Sequence, residues 1–186
     1  MGFLKTTFKI LRLVYHDLGT VTGRYQVAQA VLKDIPGRYG QALRIACYRN
    51  YFGSAGEGIV IHLDARIRNI QNINIGDRSR IGECVMLQAG GGLDIGNDVL
   101  IGPGAKIWSI NHGFADTAEA IQNQGYDFKK VTLGDGCWVG ANAFIMPGTT
   151  LGEGCVVSAG AVVSAKNYPP FKIIGGNPAR IIGTRQ

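Results

Sequence analysis

Of the three histidines in this chain, His16, His62 and His112, only His112 stands where a regular pattern breaks off. The segment Ser109-Ile110-Asn111-His112 ends one run of evenly spaced aliphatic residues, and the next run resumes only at Val131-Thr132-Leu133. Imidazole titrates close to neutral pH, so at such a junction it can take the proton of an attacking hydroxyl and pass it to a leaving group. Few polar residues are placed to help it. Gln88 is the only polar side chain between Met86 and Gly92. Asn111 and Asp98 carry groups able to orient the imidazole or the acceptor, although both types are also ordinary turn formers. A zinc site needs three protein ligands around one open position. No histidine follows His112 and His62 lies far upstream, so no metal is expected.

The elements that must position His112 are written in a repeat. Ile75, Ile81, Leu87 and Leu93, then Ile95, Ile101 and Ile107, then Leu133, Val139, Ile145, Leu151, Val157 and Val163 recur every six residues within each run, mostly followed by Gly. A helix repeats at 3.6 and a strand at two, so this period fits short strands joined by tight turns, stacked as a solenoid. Three hexapeptides make a coil of about eighteen residues, with parallel strands about 4.8 Å apart. Ile145 should then stack over Val163 and Cys137 over Cys155. Two residues are added between Ile73 and Ile75 and again between Leu93 and Ile95, read here as small bulges at corners. Gly90-Gly91-Gly92 reads as a flexible corner that lets a ligand approach the backbone. Residues 113–130 form a long loop, the kind that in a compact scaffold is usually functional or disordered.

Composition bounds the rest. The chain has 186 residues, 46% of them hydrophobic, enough for one domain plus an appendage. Its net charge of +6 lies entirely in residues 1–50, where eight basic side chains face Asp17 and Asp34; the remainder holds eleven of each sign. No nucleic-acid partner is expected. Residues 3–18 read as an amphipathic helix, with Leu4, Phe8, Leu11, Tyr15 and Leu18 on one face and Lys5, Lys9, Arg12 and His16 on another. Such a helix can lie on an anionic membrane or pack on the solenoid or a neighbouring subunit. Further helices are expected at about 26–33 and 38–52, the last with Arg44 and Arg49 outward. Cys47, Cys84, Cys137 and Cys155 show neither zinc spacing nor a secretory context, and no apolar run is long enough to span a bilayer, which favours the cytoplasm.

These repeats resemble the left-handed β-helix of the hexapeptide-repeat acyltransferases. The tail Gly175-Gly176-Asn177-Pro178-Ala179-Arg180 resembles the closing segment of the maltose, galactoside and polysaccharide O-acetyltransferases. The resemblance covers roughly residues 55–186. It implies a mainly β fold, a left-handed parallel β-helix over residues 55–186 behind a basic helical segment at 1–54. It also implies a homotrimer that binds acetyl-coenzyme A between subunits, with His112 as general base. By the same resemblance Ala141 and Ala159 meet the pantetheine arm, with Trp138 nearby or filling the trimer interface, and Lys166 and Arg180 meet the nucleotide phosphates. The family pattern is Thr-Lys-Asp before the Pro-Pro step, whereas this chain reads Ser164-Ala165-Lys166-Asn167, displacing Lys166 by one residue. The sugar-holding Asn and Asp of the maltose and galactoside enzymes are missing before the loop, where Gln88 is the only polar side chain left as a candidate for holding an acceptor, so a simple disaccharide is not supported; the glycine corner and basic helical N-terminus look more like the acetyltransferases of surface-polysaccharide assembly, whose saccharide acceptors can be lipid-linked. An amine acceptor, a larger acyl group, or a non-catalytic trimeric module are the alternatives.

Overall fold

The structure is a computed structural model that describes residues 2–186, with side chains from Thr6 onward; Leu4 and Lys5 of the amphipathic stripe lie outside the described side chains. Six coils of short strands build a left-handed parallel β-helix with three faces, preceded by three helices. Face A begins at Ser54–Ala55 and ends at Asn167–Tyr168. Face B runs from Val60–Ile61 to Lys172–Gly176 and is closed by the antiparallel strand Ala179–Thr184. Face C runs from Arg66–Arg68 to Val162–Val163. Each coil visits A, B and C in turn, which leaves an A–B, a B–C and a C–A edge.

The spacing of the aliphatics creates the core directly. Ile61, Ile81, Ile101, Val139 and Val157 form one buried column on face B, and Ile145 pairs with Val163 on face C as expected. Burying each such side chain contributes about 1.5–3 kcal/mol. Register on face B places Cys137 over Cys155, both fully buried. Burial pushes the Cys137 thiol up to about 12 and raises that of Cys155 as well.

The coils are not uniform. In the late coils Thr132 pairs with Thr150, a step of eighteen, but in the early coils Ser54 pairs with Asn74 and Asn74 with Asp94, a step of twenty. The added pairs do not make corner bulges. Ile73 and Ile75 sit at the two ends of one face-A strand, as do Leu93 and Ile95, and all four are buried. Adding two residues preserves the strand's period of two, so the face lengthens while its inward side chains stay inward.

The helices are α1 (Gly2–Gly19), α2 (Val21–Leu32) and α3 (Gly37–Tyr48), the last continuing as a 3-10 turn over Arg49–Tyr51. Thr20 caps α2 by accepting from the Gly23 N–H at 2.9 Å. Gly23 does not end α1. It lets α2 approach it, since a Cβ there would stand 2.0 Å from the Asp17 carbonyl oxygen. α2 covers the first coil: buried Tyr25 packs edge-on to Tyr48 and donates to the Ile67 carbonyl, while Gln29 Oε1 accepts from the Ile67 N–H at 2.6 Å.

Arg44 is a correction. It points inward and is 1% exposed, donating from Nε to the Ile61 carbonyl and from Nη1 to the carbonyls of Leu32, Lys33 and Ile35. A helix end leaves carbonyls without intrahelical partners, and this guanidinium satisfies those ending α2 while tying them to the solenoid. Arg49 remains on the surface side, paired with Glu57 at 2.6 Å. Residues 6–20 are exposed throughout, with Phe8 at 72% and Tyr15 at 82%, so the α1 stripe does not pack on its own solenoid.

Candidate active site

The 113–130 segment is ordered by its own hydrogen bonds. Ile110–His112 pairs antiparallel with Tyr126–Phe128, and Gln124 clasps the tip through the Asp116 N–H and the carbonyls of Asp116 and Glu119. The base of this hairpin leaves the C–A edge at Ser109. Buried Ser109 accepts on Oγ from the Gly91 N–H and donates to the Gln88 carbonyl, and its own carbonyl accepts from the Lys129 N–H. The Gly90-Gly91-Gly92 corner is therefore filled by the chain itself. A Cβ on Gly91 would lie 2.2 Å from the Ser109 oxygen, so the close approach is that of the hairpin base and not of a ligand.

His112 is exposed at the end of the outgoing strand. Register sets it opposite Tyr126, whose ring centroid is 4.6 Å from the imidazole at 41°. Asn111 folds its Oδ1 back to accept from the His112 backbone N–H at 3.0 Å, which fixes the local turn. The imidazole nitrogens have no hydrogen-bond partner among the described residues. A cavity of about 280 Å³ opens beside the ring, with Gln88, Asn111, Trp108, Tyr126 and Arg68 on its wall. Gln88 stands between Arg68 and Trp108 in the face-C ladder, and its buried Oε1 has no partner. A buried amide oxygen without a donor is costly unless a ligand supplies one.

The sequence candidates divide by edge. His112, Gln88 and Asn111 come together at the C–A edge, where Lys166 also lies, its Nζ 4.8 Å from the Tyr168 ring centroid. Asp98 does not join them: it occupies the A–B edge with φ 55° and pairs with Arg78 at 2.6 Å. Ala141 and Ala159 form successive steps of the B–C edge, the Gly160 N–H donating to the Ala141 carbonyl. Trp138 is half-exposed on face B in register with Leu100 and Val156, and Arg180 lies on the closing strand. A single chain thus keeps the imidazole and the Ala141/Ala159 edge on opposite sides of face C. Tyr126, Ser109 and Arg68 escaped the sequence reading. The hairpin register hides the first, while twenty-residue spacing from Gln88 would have found Arg68.

No group of three or more His, Cys, Asp or Glu that could hold a metal occurs among the described residues. In comparisons with known proteins, residues 130–165 match the family described as hexapeptide repeat of succinyl-transferase. A putative acetyltransferase of Dictyostelium discoideum is 35% identical over 135 residues, covering 72% of this chain and 69% of that protein. The putative lipopolysaccharide biosynthesis O-acetyl transferase WbbJ of Escherichia coli is 29% identical over 169 residues, 84% of this chain and 85% of WbbJ. A solved hexapeptide-repeat acetyltransferase of Vibrio cholerae, complexed with acetyl-coenzyme A, superposes with TM-score 0.77 at 27% identity over 88% of this chain and 86% of that one. The coils and these likenesses agree, and the chain belongs to the hexapeptide-repeat acetyltransferases.

Proposed function

We propose that this acetyltransferase moves acetyl from acetyl-coenzyme A to a hydroxyl of a saccharide in surface-polysaccharide assembly, with His112 as general base. The observation that carries this reading is an exposed imidazole without an intrachain partner, beside a cavity whose wall holds the unpaired Gln88 oxygen. The imidazole takes the hydroxyl proton as the oxygen attacks the thioester carbonyl. Collapse of the tetrahedral intermediate breaks the C–S bond, and the imidazolium returns the proton to the departing thiolate. Gln88 Oε1 accepts from an acceptor hydroxyl. Tyr126 and the Asn111 turn hold the ring ready. The likeness to WbbJ over most of both chains supports a saccharide acceptor.

The site is completed by a second copy. Leu100, Trp138 and Val156 form an apolar ladder on face B, and Phe114, Ile121 and Phe128 are exposed on the hairpin, which supports a homotrimer. Packing of that kind brings the Ala141/Ala159 edge of one subunit to the His112 edge of the next. Ala141 and Ala159 then line the pantetheine path, Trp138 fills the interface, and Lys166 and Arg180 face the phosphates. Four unpaired cysteines, two of them buried, fit a reducing cytoplasm.

The α1 helix fits the surface of an anionic membrane. Its exposed Phe8, Leu11, Tyr15 and Leu18 share one face while Lys9, Arg12 and His16 gather on another. No helix of the described residues is long enough and apolar enough to cross a bilayer. Full-length protein should sediment with phosphatidylglycerol vesicles and a chain lacking residues 1–18 should not; equal sedimentation of both would remove α1 from this role. The reaction itself is tested by free-thiol release from acetyl-coenzyme A against sugars, lipid-linked glycans and amines. Release only with amines would replace the O-acetyl reading.

A further inference from the structure

The cavity beside His112 has one wall that the proposed reaction does not use. Arg68 ends the first strand of face C, in register with Gln88, and its side chain is exposed. Its basic neighbours are neutralised: Arg66 by Asp64 at 3.1 Å, Lys33 by Asp34 at 2.5 Å and Asp64 at 3.3 Å. Among the described residues the Arg68 guanidinium has no ion pair and no hydrogen bond. It also borders a second recess of about 380 Å³ between α2 and the first coil, lined by Thr22, Gln26, Gln29, Asn69 and Gln71. Neither recess has an acidic side chain on its wall. A guanidinium without a counter-ion therefore stands one ladder step from the unpaired Gln88 oxygen, where the two recesses meet.

From this geometry we infer that the acceptor is anionic, with a phosphate or carboxylate oxyanion held by Arg68 while its hydroxyl is presented to Gln88 and His112. An acid-free wall with one free cation attracts a negative group and repels a positive one, and the planar guanidinium grips two oxygens of either oxyanion at once. The polar recess beside α2 takes whatever continues beyond the oxyanion. The inference rests on the reading of the His112 cavity as the acceptor site and narrows that acceptor to charged saccharides.

The test is equilibrium binding to the full-length protein of a matched hexose set: a neutral methyl glycoside, the corresponding uronate, the 1-phosphate and a nucleoside diphosphate hexose. Wild type, Arg68→Gln, Arg68→Lys and His112→Ala are compared. At least one class of anionic hexose should bind wild type and His112→Ala about tenfold more tightly than the neutral glycoside, a margin typical of one charge-assisted contact. That preference should vanish in Arg68→Gln and survive in part in Arg68→Lys. Preference for the uronate alone assigns a carboxylate, and preference for the phosphates alone assigns a phosphate. Equal binding of neutral and anionic hexoses, no binding of any anionic hexose, or a preference that persists in Arg68→Gln overturns the inference. Thiol release by His112→Ala at the wild-type rate would refute the base assignment and leave the Arg68 comparison standing, so the two failures are distinguishable.

Discussion

A methyl group added at Gly91 should damage turnover far more than it damages the fold. The built Cβ stands 2.2 Å from the Ser109 carbonyl oxygen and 2.7 Å from the Lys129 nitrogen, both backbone atoms at the base of the hairpin that carries His112. Carbon and oxygen normally approach to roughly 3.3 Å, so the base has to give way by about 1 Å. Ser109 is three residues before His112 and Lys129 lies on the returning leg, so the displacement is passed to the imidazole, while Gln88 stays on face C. A misplacement of about 1 Å costs on the order of 10²-fold in rate, whereas overpacking costs about 1–3 kcal/mol of stability. Gly90→Ala is the control. Its Cβ meets only the side chains of Ile110 and Phe128, at 3.3 Å, which can rotate away, so its turnover should stay within about twofold of wild type. Thiol release and thermal denaturation of both variants decide the matter. Wild-type turnover in Gly91→Ala, or equal damage from both substitutions, would refute the claim that this corner sets the height of the imidazole.

Two further outcomes follow from the helical cap and the core. Arg44→Ala takes a donor from four carbonyl oxygens, of which those of Leu32 and Lys33 keep backbone donors in Ile35 and Asp64, and should cost about 3 kcal/mol, seen as a melting temperature lower by about 6–12 °C, with thiol release at low temperature unaffected. An unchanged melting temperature would mean that water replaces the guanidinium. In alkylation at pH 8, exposed Cys47 and Cys84 should react while Cys137 and Cys155 stay protected until unfolding, because burial keeps their thiols protonated. Rapid labelling of all four would contradict the stacked register of the coils.

The solenoid was legible because its period is enforced by the chain itself: one aliphatic in six must point inward, and nothing distant is needed to say so. The interruption after His112 was legible for the converse reason, since a break in a strict period stands out, although the hairpin that fills it was read only as a long loop. What failed depends on contacts between segments far apart in sequence. Arg44 was placed outward by its polarity, yet its partners are the carbonyls of Leu32, Lys33, Ile35 and Ile61, which no local pattern reveals. The glycine corner was read correctly as a place of close approach, but the group that approaches it is Ser109, eighteen residues later. Asp98 lies only thirteen residues before Asn111, yet in a three-faced coil that distance leads to a different edge, where Arg78 claims it. Tyr126 lies in a stretch without periodicity, and only the hairpin register sets it against His112.

The central claim is that His112 removes the acceptor proton, and it is most directly tested by steady-state thiol release from wild type and His112→Ala, with coenzyme A affinity measured in parallel. The account predicts turnover lower by about two to four orders of magnitude in the variant, with coenzyme A affinity unchanged. Turnover at the wild-type rate would remove His112 from the chemistry, and a loss of turnover explained wholly by lost coenzyme A binding would make it a binding residue instead.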